Sequence, residues 1–245
     1  MSAPAEAFAG GPAAWPGAVR SAGGLTPVGL IDLALAARGA GPARRAQLMA
    51  GALGVSAAVT LGDLTRQAWA LRADLAAIRG DGALAPMPVL AHCPECQAAL
   101  EFDLPADLAL PAAGPGPDRV RHLGRDYSLR LPKLEDLGPS GIDPRRLSDP
   151  GAPWSEAEFR AAAEAELTRA EPVLTLSVAL TCPDCGAAHD HPLDPLVFVW
   201  DDIDRSAGRL LAEVATLARA FGWDELQVLA LPPARRAAYL AEVAR

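Results

Sequence analysis

Cys93-Pro94-Glu95-Cys96 and Cys182-Pro183-Asp184-Cys185 are two copies of one short motif, and they contain all four cysteines of the chain. The Cys-x-x-Cys spacing points two thiolates at one position. Two such motifs, called knuckles here, can therefore supply the four ligands of a tetrahedral zinc ion. The proline after the first cysteine fixes φ and stiffens each turn. The pattern predicts a structural zinc site formed by Cys93, Cys96, Cys182 and Cys185.

The knuckles differ from those of a simple zinc ribbon in sequence and in spacing. Gly186 follows the second knuckle and can adopt φ > 0, which turns backbone amides toward the sulfurs. Gln97 holds that place after the first knuckle, which is therefore the weaker match. Simple ribbons separate their knuckles by about 15–20 residues, whereas residues 97–181 lie between these two. The spacing predicts one shared site with a long insertion between its halves.

Other uses of the cysteines stay open from the sequence. His92, His189 and His191 lie close enough along the chain to replace one cysteine as a ligand. A thiol-disulfide oxidoreductase is another alternative, although a thioredoxin-like Cys-x-x-Cys opens a helix in a βαβ unit. Both knuckles here lie between strand-like runs, which favours metal binding. Two unrelated thiol pairs are the remaining alternative.

The sequence shows no targeting or membrane segment. Residues 1–24 lack a basic start followed by a continuous apolar run, so they do not form a secretory signal. No stretch reaches the roughly 18 apolar residues of a membrane span. We therefore expect a cytoplasmic protein, whose reducing surroundings favour a metal site over disulfides.

Charge limits the classes of partner. The formal net charge is −8, and the isoelectric point lies near 5.0. General binding of nucleic acid needs a basic face, so we expect no nucleic-acid partner. A zinc-ribbon regulator that binds nucleic acid is kept as the alternative function, and it would require a local basic surface.

The periodicity predicts an α+β fold in which helical parts flank a small β zinc ribbon. Residues 1–24 are rich in Ala, Gly and Pro without periodicity and are expected to be a disordered tail. Apolar residues at helical spacing predict an N-terminal helical part over 25–82 and a C-terminal helical part over 196–245. The ribbon occupies 83–195, including the insertion 97–181 between its knuckles.

Local signals predict where helices begin. Thr26 before Pro27 is typical of an N-cap followed by proline in the first turn. Ser155 with Glu158, and Asp224 with Gln227, have the spacing of a capping box. Each signal marks the start of a helix that follows it.

No catalytic constellation is present, so we expect no enzymatic activity and no small-molecule substrate. The chain lacks a Gly-rich phosphate loop after a strand, a GxSxG turn and an HExxH helix. Asp201, Asp202 and Asp204 form an acidic cluster, interpreted as a favourable interaction with a helix dipole. The metal site of a phosphodiesterase is the alternative for this cluster, and no second acidic cluster supports it. A candidate interface lies near the C-terminus, because Arg and aromatic residues are favoured in binding hot spots. Its residues are Trp223, Arg235, Arg236 and Tyr239.

The chain resembles a family of baseplate proteins from contractile-tailed phages and extracellular contractile injection systems. The first knuckle before Glu101-Phe102 matches the family, as does Arg130-Leu131-Pro132 before Asp136-Leu137. The second knuckle with Gly186 is followed, as in the family, by Leu193-Asp194 and Trp200. The C-terminal signature comprises Leu210-Leu211-Ala212-Glu213-Val214, Leu217-Ala218, Phe221-Gly222-Trp223-Asp224-Glu225, Leu229-Ala230-Leu231, Arg235-Arg236 and Tyr239-Leu240.

The resemblance covers about residues 25–245 and is densest over 174–243. It implies a structural or assembly protein of a tail-like particle, built in the cytoplasm and then incorporated into that particle. Other baseplate or hub proteins are the implied partners, and no enzymatic activity is implied.

Overall fold

The structure, a computed structural model, describes residues 20–21, 24–80, 83–138 and 140–245. Most of the predicted 1–24 tail lies outside the described residues. Strand β1 (Arg20–Ser21), which belongs to the predicted tail, pairs antiparallel with β2 (Gly24–Leu25).

Seven helices occur in the described part of the chain, and two of the three predicted helix starts are confirmed. Thr26 Oγ1 accepts a hydrogen bond from the Gly29 amide at 3.1 Å, and Asp224 and Gln227 form a reciprocal capping box. The box predicted at Ser155 is wrong, because Glu156 is the N-cap and makes no side-chain capping bond. The helices are α1 Pro27–Ala37, α2 Pro42–Leu53, α3 Leu61–Arg79, α4 Ala157–Ala170, α5 Pro195–Phe221, α6 Glu225–Leu229 and α7 Pro233–Val243.

The strands that follow β2 form two-stranded antiparallel hairpins between neighbours in sequence. The last pair of strands begins only at Ser177, because Pro172–Thr175 forms a 3-10 turn. The paired strands are β3 Met87–His92 with β4 Ala99–Leu104, β5 Arg119–His122 with β6 Arg125–Ser128, β7 Leu137–Gly138 with β8 Gly141–Ile142, and β9 Ser177–Thr181 with β10 Ala188–Pro192.

The helices on the two sides of the ribbon share one hydrophobic core. Leu64 and Leu75 of α3 are fully buried against a stripe on α5 that contains Ile203 and Leu210. Burial of each such side chain stabilises the fold by about 1.5–3 kcal/mol. The N-terminal and C-terminal helical parts, which are far apart in sequence, therefore stabilise each other.

The insertion has a small aromatic core of its own. Phe159 of α4 is fully buried and contacts Tyr127 of β6 and Trp154 edge-to-face, with ring centroids 5.2 and 5.4 Å apart. Val120 of β5 is buried in the same cluster. This core holds the β5–β6 hairpin against α4.

One face of α3 attaches the insertion to the helical core. The side chains of Arg66, Trp69 and Arg72 are three residues apart and lie on the same side of the helix. Trp69 Nε1 donates to the Leu108 carbonyl at 3.1 Å, and Arg72 Nη1 donates to the Ala106 carbonyl at 3.2 Å. Segment 105–111 has little regular structure, so these bonds fix its path.

Asp202 belongs to a buried ion-pair network. Helix α5 begins at Pro195, which places Asp202 beyond the first turn. Asp202 Oδ2 accepts from Arg72 Nε, and Asp202 Oδ1 accepts from Arg205 Nη1, each at 2.9 Å. The helix-dipole interpretation of Asp202 is therefore wrong, and its carboxylate instead links α5 to α3.

Candidate metal centre

The two knuckles form the turns of two separate hairpins, β3–β4 and β9–β10. In each knuckle the amide of the first cysteine donates to the carbonyl of the residue five positions later. Cys93 bonds to Ala98 and Cys182 bonds to Ala187, each at 2.9 Å. The same local hydrogen bond therefore closes both turns and presents both cysteine pairs in the same way.

The residue after each knuckle adopts a left-handed conformation. Gly186 has φ of +74° and its amide donates to the Cys182 carbonyl at 2.9 Å. Gln97 has φ of +62° and donates to the Cys93 carbonyl at 3.0 Å. Glutamine is disfavoured there because its Cβ crowds the backbone. The weaker sequence match of the first knuckle therefore gives the same turn, at the cost of local strain.

The four sulfurs meet at one point. They lie within 4.8 Å of one another, and no other group of three or more His, Cys, Asp or Glu ligands clusters in this way among the described residues. Cys93 Sγ lies 3.6 Å from Cys185 Sγ, and Cys96 Sγ lies 3.6 Å from Cys182 Sγ. A tetrahedron with zinc–sulfur bonds of about 2.3 Å has edges of about 3.8 Å. The cluster has the dimensions of a site that could hold a metal ion.

Neither of these two sulfur pairs forms a disulfide, since a disulfide joins its sulfurs at about 2.05 Å. All four cysteines are free thiols. Cys93 and Cys182 are buried in a small cluster with Ala91 and Leu100, whereas Cys96 and Cys185 are exposed. The site therefore lies at the end of the ribbon, with one side covered by protein.

The thiols of Cys93 and Cys96 have pKa values shifted in opposite directions. Backbone amides, chiefly that of Cys96, hydrogen-bond to the Cys93 sulfur and lower the pKa of Cys93 to about 7. The Ala98 amide acts to lower the pKa of Cys96, but hydrogen bonds with the other cysteines and burial outweigh it and raise that pKa to about 12. A bound cation would remove this difference, because it favours the thiolate form of all its ligands.

The histidines near the knuckles do not join the cluster of sulfurs. His92 is exposed at the end of β3. His189 lies opposite Leu180 in the β9–β10 pair, and both of its ring nitrogens are buried without a hydrogen-bond partner. His191 lies opposite Val178, two pairs further from the knuckle. The described ligand group therefore contains the four cysteines and no histidine.

Arg236 lies inside the fold, which corrects its predicted role as an exposed contact. Its side chain is 2% exposed. Arg236 Nε pairs with Glu213 at 2.8 Å, while Nη1 and Nη2 donate to the carbonyls of Leu231 and Ile78 at 2.8 and 2.9 Å. Arg236 thus ties α7 to α5 and to the end of α3. Its neighbour Arg235 is exposed.

The other predicted interface residues form an aromatic cluster at the surface. Trp223 stacks on Phe221 with ring centroids 4.8 Å apart, and Tyr239 meets the Trp223 ring edge-to-face at 4.8 Å. Trp223 and Tyr239 are half-buried, and Phe221 is 43% exposed. The cluster packs α7 against the end of α5 and leaves aromatic surface accessible.

Comparison with known proteins supplies no relative: no family model, no curated protein and no solved structure matches the chain. No helix among the described residues is both long enough and apolar enough to cross a membrane. The chemistry of the chain therefore has to be inferred from the four cysteines and their surroundings.

Proposed function

We propose that this chain is a non-catalytic assembly protein whose ribbon is held together by a structural zinc ion. The observation that carries the proposal is the cluster of four sulfurs, which is the sole candidate ligand group within the described part of the chain. Four thiolates complete the tetrahedral shell of zinc and leave no open position for substrate or water. Such an ion stabilises a fold and does not activate a reactant.

The position of the cluster explains how a metal ion would act. The knuckles at 93–96 and 182–185 bracket the insertion, so an ion bound to both closes a long loop of chain. Closing a long loop removes conformational entropy from the unfolded state and thereby stabilises the native state. Metal binding is also coupled to folding, since the preformed site does not exist in the unfolded chain.

Two observations weigh against the alternative functions. Both Cys-x-x-Cys pairs form hairpin turns, whereas an oxidoreductase pair lies at the start of a helix. The two strand pairs that carry the knuckles contain no Lys or Arg, which disfavours a ribbon that binds nucleic acid.

We assign the assembly role to the baseplate of a contractile phage tail-like particle, where other baseplate or hub proteins are the partners. Support comes from the residue pattern of the C-terminal signature and from the surface that it forms. The signature residues build α5 to α7 and contribute the accessible cluster of Phe221, Trp223 and Tyr239. Aromatic side chains of this kind are favoured anchors in protein interfaces. The proposal includes no nucleic-acid or small-molecule partner.

Metal analysis tests the zinc clamp. Protein purified without added zinc is expected to contain one zinc ion per chain, and Cys182→Ser is expected to lose the metal and to unfold the knuckle hairpins. His92→Ala is the matched control, because His92 adjoins the first knuckle but is not a ligand, and it should retain the metal. A chain without metal, or one that binds iron instead, would refute the zinc assignment.

A genetic test addresses the baseplate role. Removing the gene from a bacterium that makes the particle should leave sheath and tube proteins present but yield tails without complete baseplates in electron micrographs. The wild-type gene should restore complete particles, and the Cys182→Ser gene should not. Intact, fully assembled particles in the deletion strain would show that the protein is not needed for the baseplate.

A further inference from the structure

The two metal-bearing hairpins form a surface with a single sign of charge. This surface, called the acidic ribbon here, comprises residues 87–104 and 177–192. It contains no Lys or Arg, and its carboxylates account for −5 of the formal net charge of −8. A divalent ion held by four thiolates would make it more negative still. The carboxylates are those of Glu95, Glu101, Asp103, Asp184 and Asp190.

All of these carboxylates are exposed, and none forms an ion pair within the described part of the chain. An exposed apolar residue lies among them on the outer face of β3–β4. Leu90 is 59% exposed and lies directly opposite Glu101, with Asp103 opposite the adjacent Pro88. The acidic ribbon thus presents an apolar centre with negative charge around it, which would suit a basic partner that also carries an apolar side chain.

A surface with the complementary character exists on the same chain. Residues 119–128, called the arginine hairpin here, contain Arg119, Arg121 and Arg125 and a single carboxylate, that of Asp126. All three arginines are exposed. Leu123 at the tip is 83% exposed, the most exposed large apolar side chain of the described residues.

The conformation of the tip is unusual for leucine. Leu123 and Gly124 form a two-residue turn with φ of +47° and +79°. Asn, Asp or Gly is preferred at the first position of such a turn, because other side chains crowd the backbone at positive φ. The exposed Leu123 side chain buries little apolar surface within its own chain. Its presence is better explained by a contact outside its own chain.

The base of the arginine hairpin is firmly held, so the tip is presented in a fixed position. Tyr127 is buried against Phe159, and His122 bonds to Glu156 across 2.7 Å between Nε2 and Oε2. The nearest carboxylate to Arg121 is that of Asp126, at 3.9 Å and on the same hairpin. None of the three arginines pairs with a carboxylate of the acidic ribbon in the described structure.

We propose that the arginine hairpin of one copy docks on the acidic ribbon of a second copy, with Leu123 against Leu90. Opposite charges would steer the two surfaces together, and the leucines would exclude water at the centre of the contact. Because the two surfaces are different, the contact is heterologous and repeats head-to-tail into a ring or a filament. The inference rests on the proposed assembly function and identifies a partner for it.

Association is tested on the full chain with bound zinc, after metal content and circular dichroism have established that the ribbon is loaded and folded. Light scattering after size exclusion should give a mass above 25.4 kDa in about 50 mM salt. In about 0.5 M salt the mass should fall to that of one chain, because screening shortens the reach of charge interactions to a few ångströms.

Charge reversal identifies the surfaces. Arg119→Glu/Arg121→Glu and Glu101→Arg/Asp103→Arg should each weaken self-association at least about tenfold. An equimolar mixture of the two variants should associate again, since each retains the surface that its partner needs. In that mixture, the reversed surfaces are also complementary to each other.

The matched control is Arg38→Glu/Arg44→Glu, which makes the same change of charge at two exposed arginines outside both surfaces. It should associate like the wild type. A zinc-loaded wild type that stays monomeric at about 100 µM in low salt would overturn the inference while leaving the zinc clamp intact. Association that persists in both reversed variants, or that is lost equally in the control, would overturn it as well and indicate another contact.

Discussion

Replacing Gly62 with alanine tests how the insertion is joined to the helical core. Gly62 lies in the first turn of α3, where a Gly→Ala change normally stabilises a helix by about 0.5–1 kcal/mol. In this protein a Cβ atom at position 62 would overlap the carboxylate of Glu171, which follows α4. We expect the opposite sign, because the carboxylate must move to make room.

The magnitude follows from what Glu171 does. Its side chain is 1% exposed, and it accepts two hydrogen bonds from Arg66, at 2.6 and 2.8 Å. The same pairing raises the pKa of Arg66. Leaving a buried charge without its partner costs roughly 3–5 kcal/mol. After the helix gain is subtracted, Gly62→Ala should destabilise the protein by roughly 2–4 kcal/mol.

Urea unfolding followed by circular dichroism measures this difference. Gly208→Ala in α5 is the matched control, since a Cβ there meets no atom within 4 Å. It should stabilise the protein by up to about 1 kcal/mol. In a Glu171→Ala background, Gly62→Ala should become neutral or stabilising, because the obstructing carboxylate is gone. Equal or higher stability of the single variant Gly62→Ala would refute the reasoning.

Three further predictions concern acid stability, the metal and a buried arginine. Hydrogen bonds from Arg130 hold the pKa of Asp136 at about 2, below its ordinary 3.8. Ionised Asp136 therefore stabilises the fold above about pH 4, and this contribution disappears as the pH falls toward 2. Asp136→Asn should therefore lower the free energy of unfolding by about 2 kcal/mol at pH 7, and its stability should decline less between pH 4 and 2. Exposed Glu135→Gln should match the wild type. An unchanged acid profile in Asp136→Asn would contradict this. A chelator should make the two knuckle hairpins sensitive to protease while most helical dichroism remains, because the helical core contains no side chain of residues 87–104 or 177–192. Simultaneous loss of both signals would count against a helical core that is independent of the metal. Arg72→Met should lower the free energy of unfolding in urea by roughly 3–5 kcal/mol, because it leaves buried Asp202 without this partner. Arg72→Lys should not restore stability, since lysine lacks the planar fork that reaches the carbonyls of Ala85 and Ala106. Full stability of the lysine variant would show that charge alone suffices.

The cysteine cluster was the feature most readily predicted from sequence. A knuckle is closed by hydrogen bonds between residues at most five positions apart, so its geometry follows from local composition. The pairing of the two knuckles needed only the expectation that the four cysteines share one metal. The sequence did not predict that Gln97 would adopt the same positive φ as Gly186. Closure of the turn imposes that conformation despite the side chain.

The arginine hairpin was missed, although a signal for it exists. Arg119, Arg121 and Arg125 surround a Leu-Gly pair between short alternating runs. Leucine is rarely found in the first position of a tight turn, so the Leu123-Gly124 pair does not predict one. Its exposure and fixed orientation depend on packing against α4, which a local pattern does not specify.

By itself, the sequence determined the helical stripes, the two knuckles and the uneven distribution of charge, because each depends on residues a few positions apart. Only the tertiary structure decided which charged side chains are internal. Arg72 pairs with Asp202, Arg66 pairs with Glu171, and Arg236 donates to the carbonyl of Ile78, all across more than a hundred positions. An arginine next to apolar residues has the same local pattern whether it is solvated or buried. Its environment is set by the distant carboxylate or carbonyl that the fold brings to it, and that partner determines whether the charge can be removed from water.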